Sequence, residues 1–489
     1  MNAPDRKAAM VEAVEGKAAS PTDVSLPIAV SISIAISTAL AQFAVGLRYE
    51  QIPARVLERA KLHILDCIGI GLASGGFDFA QRTINALSAL GGDGAYPVLG
   101  SALRLPLRDA LLVNGTLIHG LDFDDTHTGG VIHASASAVP VVLGVGQRER
   151  ASGRDVLAAY LVGVETASRI GQAAKNGFHQ RGFHPTGLVG VFGATLAAGR
   201  LSGLTEAQLA DAQGIALSMG AGSLEFLEDG AWTKRMHPGW AASSAVTACA
   251  LARSGFAGPK RAYEGRFGLF NAYVGAQPDL AACTAGLGEH WEMLNVAIKP
   301  YPACHFNHAF ADAALELRRA HAFEIDDIVA ITAGIGAGQT EVVCEPQAAK
   351  RRPQNSYEAQ FSVHYIIACA LLRGRFTLAE LEDEALADPR AHSLMQKTSY
   401  EIDPESAFPR YYSGEVVVRL KDGRELRHRE AQNRGSDARP LTGDEIVAKF
   451  HGNAGRVMSH ARAERVAGCV LSLDEAESLD DLLEAVRLA

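Results

Sequence analysis

Between residues 35 and 295 the chain is built from long apolar runs crowded with glycine and alanine, and this limits the architecture more than any other feature. In "GRDVLAAYLVGVETASRIGQAA" (153–174) the apolar positions recur at helical spacing. "TGLVGVFGATLAAGRLSG" (186–203) has side chains small enough for neighbouring helices to approach closely. The period-two alternation that a strand would need is absent. "LTEAQLADAQGIALSMG" (204–220) opens with a capping-box pattern, Thr205 as N-cap and Gln208 at the reciprocating position.

The texture changes near residue 298. "DDIVAITAGIGAG" around Val329 predicts a strand, and "GEVVVRLKDGRELRHRE" predicts a hairpin turned at Asp422-Gly423. Helical patterns persist between them, in "HAFADAALELRRAHA" and "AQFSVHYIIACALLRG". "TGDE" (442–445) is a second capping box that opens a helical C-terminal stretch. The expected organisation is a flexible tail over 1–30, a helical domain over 31–297, an α+β domain over 298–436 and a helical return over 437–489. The fold class is mainly α.

Composition removes several function classes. The 489 residues carry a net charge of −9 and no basic stripe with interleaved aromatics, which argues against nucleic-acid binding. Seven cysteines lie far apart with no CxxC, which fits a reducing, cytoplasmic setting. The stretch from Val24 to Leu47 is long enough to span a bilayer, but Pro27, several Ser and Thr, and Gln42 make it polar for that task. No membrane role is expected.

The chemistry concentrates in "LDFDDTHTGGVIHASAS" (121–137), where Asp122, Asp124, Asp125, Thr126, His127 and His133 sit between apolar flanks. A metal site is one reading, although HExxH spacing is missing. An aspartate-rich diphosphate–magnesium motif is a second, and it would need a further acidic motif that the sequence lacks. A metal-free acid/base site, with a buried Asp orienting a His, is the third. A solvated helix end is the bland alternative, and the apolar flanks oppose it. Three more segments bring ionisable groups beside Gly or Pro breaks in the helical pattern: His179, Arg181 and His184; Lys234, Arg235 and His237; Lys299, Tyr301, His305 and His308. Such segments are expected to meet at one cationic pocket suited to a small polycarboxylate, where fixed cations steady an enediolate-like charge.

The ordered set "IPARVLERAKLHILDCIG", "HGLDFDDTH", "FHPTGLVGVFGA", "TKRMHPGWAA", "KPYPACHFNHAFADAA" and "AQFSVHYIIACALL" resembles the MmgE/PrpD family, which includes 2-methylcitrate dehydratases and cis-aconitate decarboxylases. The resemblance covers nearly the whole chain from about residue 38. It implies a helical bundle domain built from both chain ends, a smaller α+β lid, a homodimer, and a lyase that needs neither metal nor organic cofactor. It implies catalytic roles for Asp122, His133, His184, Lys234 and His308, and substrate contacts from Thr126 and Tyr365. The stretch after Thr126 resembles the decarboxylase arrangement more than the dehydratase one. Isomerases and epimerases also occur on this scaffold.

Overall fold

Helices α1 (Ala54–Ser74), α2 (Leu107–His119), α3 (Ser135–Glu149), α4 (Gly153–Ala173), α5 (Pro185–Leu201) and α6 (Thr233–Arg253) form the interior of this computed structural model, which describes residues 34–488 apart from Ala276. The tail expected over 1–30 lies outside the described residues. Helix α3 is buried from Ser135 to Gly146 and α5 from Pro185 to Gly199, as apolar-all-round sequences require. The capping box at Thr205 forms: its hydroxyl accepts from the Gln208 N–H, and the Gln208 side chain accepts from the Thr205 N–H.

Two glycines set the crossing that matters most for the site. A Cβ on Gly115 of α2 would lie 2.5 Å from the Gly239 Cα, and one on Gly239 of α6 would lie 2.1 Å from the Leu112 carbonyl oxygen. No larger residue fits this contact, which brings the C-terminal end of α2 against the first turns of α6. Pro238, expected to mark a break, lies inside α6. It costs one hydrogen bond near the helix start, and the helix continues. Pro185 opens α5 at a position where its missing N–H has no partner to lose.

Strand β1 (Thr126–His127) pairs antiparallel with β2 (Val296–Ala297), Thr126 opposite Ala297. This short ladder joins the Asp-rich loop to the segment carrying Lys299. Further on, helix α7 (His308–Ala320), strand β3 (Ile328–Ile335), helix α8 (Val363–Arg373) and strands β4 (Thr398–Ile402), β5 (Gly414–Leu420) and β6 (Glu425–Glu430) make the α+β part. The sheet order is β4-β3-β5-β6, with β3 parallel to β4 and the other pairs antiparallel. Alternating burial along β5 turns Val416 and Val418 inward, and Gly423 takes the left-handed position of the β5–β6 turn with φ 87°.

The C-terminal helix α9 (Gly443–Ala454) starts at the Thr442–Glu445 capping box and packs on α1, so the two ends of the described chain share the helical core. Lys449 of α9 donates to Asp66 of α1 and to the Phe123 carbonyl (2.8 Å each). Helix makes up 59% and strand 8% of the described residues, a mainly α fold. Among the described residues no single helix is long and apolar enough to cross a membrane; Ala54–Ser74 and Asp78–Gly91 reach that measure only as a pair bent by 88°.

Candidate active site

The Asp-rich loop is a buried hub. Asp122, Asp124 and Asp125 are all at most 2% exposed, which excludes the solvated helix end. Each carboxylate holds a different partner. The Asp125 carboxylate pairs with His63 Nδ1 (2.8 Å) and accepts from the Ser135 hydroxyl. Asp124 pairs with His119 Nδ1 (2.8 Å), the last residue of α2. Asp122 takes a left-handed backbone (φ 50°), which Asp tolerates better than most side chains. Its Oδ1 accepts from Lys299 Nζ (2.5 Å) and pairs with Lys234 Nζ (3.1 Å). Burial disfavours the Asp122 carboxylate, but the two ammonium groups outweigh it and hold its carboxyl well below the usual range.

A cavity of about 130 Å³ opens above this hub. Asp122, Thr126, His133, His179, His184, Lys234, Lys299 and His305 face it. His133 follows the β1 turn; its Nδ1 donates to the Asp125 carbonyl (2.6 Å), which leaves Nε2 as the basic nitrogen. His184 caps α5, and its Nδ1 shares a proton with His237 Nδ1 (3.0 Å). His305 Nε2 accepts from the Asn433 amide (2.7 Å), whose oxygen accepts from the Tyr412 N–H; the proton of His305 is therefore on Nδ1. Burial first, and the nearby positive charges second, push His133 and His184 well below the ordinary imidazole value and His305 to about 3. At neutral pH these rings are uncharged.

Five of the seven expected residues thus meet: Asp122, Thr126, His133, His184 and Lys234. Two do not. His308 sits behind His305, ring centroids 4.6 Å apart, with Nε2 donating to the Ala303 carbonyl (3.1 Å). Tyr365 is turned into the core of α8, its hydroxyl donating to the Glu380 carbonyl (2.5 Å) and its ring against Phe376. Lys299 and His305 belong to a segment singled out in the sequence, yet nothing there ranked them above His308. His119 opens the "HGLDFDDTH" motif but is not singled out by the sequence; its Nε2 is buried without a partner, and its ring lies 4.7 Å from His133.

Gln360, in the "AQF" stretch before α8, explains why that stretch matters. Its amide donates to the Leu121 carbonyl and to the Pro302 carbonyl (3.0 Å), clamping the Asp-rich loop to the loop that carries His305.

Of three donor sets with metal-like spacing among the described residues, two lie at this site. His119, His133 and His184 offer atoms within 4.8 Å of one another, and so do Asp122, Asp124 and His133. The second set fits a dication poorly, because two ammonium groups already occupy the Asp122 oxygen.

Buried acid–base groups gathered from distant helices, around paired lysines and in a cavity of small-molecule size, define an enzyme site. Residues 38–281 match the MmgE/PrpD N-terminal domain and residues 301–475 the MmgE/PrpD C-terminal domain, so the chain belongs to the MmgE/PrpD family. It is 27% identical to the cis-aconitate decarboxylase-like protein oryM of Aspergillus oryzae over 92% of this chain and 97% of that protein. It is 28% identical to the cis-aconitate decarboxylase of Homo sapiens, covering 92% and 94%. The 2-methylcitrate dehydratase of Cupriavidus necator is 26% identical, covering 77% and 81%.

Proposed function

We propose that this protein is a cofactor-independent lyase acting on a small di- or tricarboxylate, by dehydration of a 2-methylcitrate-like acid or decarboxylation of a cis-aconitate-like acid. One observation carries the reading: Lys234, Lys299, His133, His184 and His305 face a single buried cavity. Both reactions pass through an anion on a carbon beside a carboxylate. In dehydration a base takes the α-proton and the hydroxyl leaves with a second proton as water. In decarboxylation the C–C bonding pair of the departing carbon dioxide enters the adjacent C=C system, the double bond shifts, and the far carbon, beside a remaining carboxylate, takes one proton.

Lys234 and Lys299 neutralise the growing enediolate charge. The Nε2 of His133 is the proton-transfer atom, with His184, its ring 6.1 Å away, as its partner and Thr126 as a hydrogen-bond donor to substrate. Asp122 holds both lysines in place. His305 takes the carboxylate-binding role expected of His308, and His308 supports it from behind. An incoming carboxylate raises the imidazole pKa values, so the proton needed for the acid step arrives with the substrate's charge.

The test is incubation with citrate, 2-methylcitrate, cis-aconitate and itaconate, with products read by mass. Loss of water or of carbon dioxide supports one lyase arm or the other. A new species of unchanged mass would mean isomerisation, and no change with any acid would sink the reading. The His119–His133–His184 spacing favours a metal-dependent alternative. Activity that survives exhaustive chelation removes it.

A homodimer is part of the same reading. Trp232, Met236 and Trp240, at four-residue spacing along the start of α6, are 42%, 38% and 43% exposed and offer an apolar stripe for a second copy. Light scattering should give twice the chain mass. The seven cysteines are all unpaired, which supports a cytoplasmic location.

A further inference from the structure

The cavity has two unlike linings, which meet where the Lys234 ammonium lies 5.2 Å from the Phe361 ring and the His184 ring lies 6.1 Å from that of Phe226. Its floor holds Asp122, Lys234, Lys299 and the imidazoles. Its outer wall is apolar: Phe226 and Phe361 belong to one buried cluster with Tyr357, Leu224 and Val342 pack against that cluster, and Leu227 stands at the mouth, 46% exposed. Among the described residues that line the cavity, Lys234 and Lys299 are the only lysines or arginines. One unit of their charge is already balanced by Asp122. Two further cations lie near the wall but are engaged elsewhere. Lys350 donates to the Val342 carbonyl (2.8 Å), and Arg235 is stacked among Phe79, Trp232 and Tyr357.

A substrate with a carboxylate on every branch would therefore press one charged group against phenyl and isobutyl surface, where the nearest ammonium is that of Lys234, already shared with Asp122. Carboxylates gathered at one end and an apolar substituent at the other would match both linings. We infer that the acid bound here carries an alkyl substituent longer than methyl, seated on the wall of Phe226, Leu224, Leu227, Val342 and Phe361 while two carboxylates occupy the lysine–histidine floor. This rests on the polycarboxylate reading of the site and narrows it.

The probe is a series of unreactive acids measured by calorimetry on the full chain: succinate, methylsuccinate, butylsuccinate and tricarballylate. Each buried methylene should tighten binding by about fourfold. Butylsuccinate should thus bind at least tenfold tighter than succinate, and tighter than tricarballylate. In Leu227→Asp, a change at an exposed position that folding tolerates, the ratio of butylsuccinate to succinate affinity should collapse toward one. A flat response to chain length, or tighter binding of tricarballylate, would overturn the inference and leave the lyase reading standing. An undiminished ratio in Leu227→Asp would overturn the placement of the wall. Failure of every acid to bind would bring down both readings.

Discussion

Asp122 lies between two ammonium groups, and Lys299 is the closer of them. Replacing Lys299 by Ala should lower kcat/KM on the active acid by about 100- to 1,000-fold, the range for one lost charge-stabilising donor. Steady-state rates measured beside the Lys234→Ala variant check this, and near-normal turnover in either would remove that lysine from the chemistry. Tyr365→Phe makes the opposite forecast. The hydroxyl bonds to the Glu380 carbonyl, away from the cavity, so the change should cost about 1 kcal/mol of stability and leave the kinetics intact. Chemical denaturation and a KM measurement on one sample separate the two effects. At this scale the sequence was readable wherever a side chain sat in a motif with one geometric solution, as Asp122 and Thr126 do. It was ambiguous where two equivalent groups stood close together. His305 and His308 are three residues apart around a 3-10 turn, and only the fold shows which one reaches the cavity. A tyrosine among apolar residues in "VHYIIACALL" reads the same whether it points inward or toward a ligand.

The helix crossing between α2 and α6 sets the distance from Asp122 to Lys234, so the site depends on two residues that touch no substrate. Gly239→Ala would place a methyl 2.1 Å from the Leu112 carbonyl oxygen, and neither backbone can yield without parting the helices. The expected result is destabilisation of about 3 kcal/mol with a loss of activity larger than the stability change accounts for. Gly452→Ala, where an added Cβ meets nothing within 4 Å, is the control and should be neutral or slightly stabilising. Melting temperature and single-turnover rate, measured on both variants, test the argument. Elements with local signals are legible in the sequence: the two capping boxes, the strand near Val329 and the Asp422-Gly423 hairpin each form. The prolines misled because a helix tolerates proline in its opening turns, and sequence does not say where the first turn lies. The β1–β2 ladder was invisible. Two residues pairing across a separation of about 170 leave no periodic trace, yet that ladder delivers Lys299 to Asp122.

On the scale of the molecule, a cavity that keeps its imidazoles neutral makes the fold sensitive to acid. Burial lowers His63, His179, His237 and His364 to about 4 and His305 to about 3. In the unfolded chain each takes up its proton near pH 6.5. Between pH 6.5 and about 4 the unfolded state therefore binds more protons than the folded one, and stability falls as pH falls. Each group contributes up to about 1.4 kcal/mol per pH unit across that window. Asp66 works the other way. Burial raises it to about 6, so the folded state holds an extra proton between pH 3.8 and 6 and offsets one histidine. These five, joined by His133, His184 and His308, make eight lowered histidines against three raised carboxyls, Asp66, Glu165 and Asp312, and leave a steep net loss. The midpoint of urea unfolding should drop continuously from pH 6.5 to 4.5, and His364→Leu should make that slope shallower by one histidine's share, because both ring nitrogens of His364 are buried without a side-chain partner and its ring is absent from the cavity lining. A midpoint flat with pH over this range would mean that the rings are already charged in the folded protein. The floor of the cavity would then hold several more positive charges than the two lysines supply, and the proton for the acid step would be in place before substrate arrives.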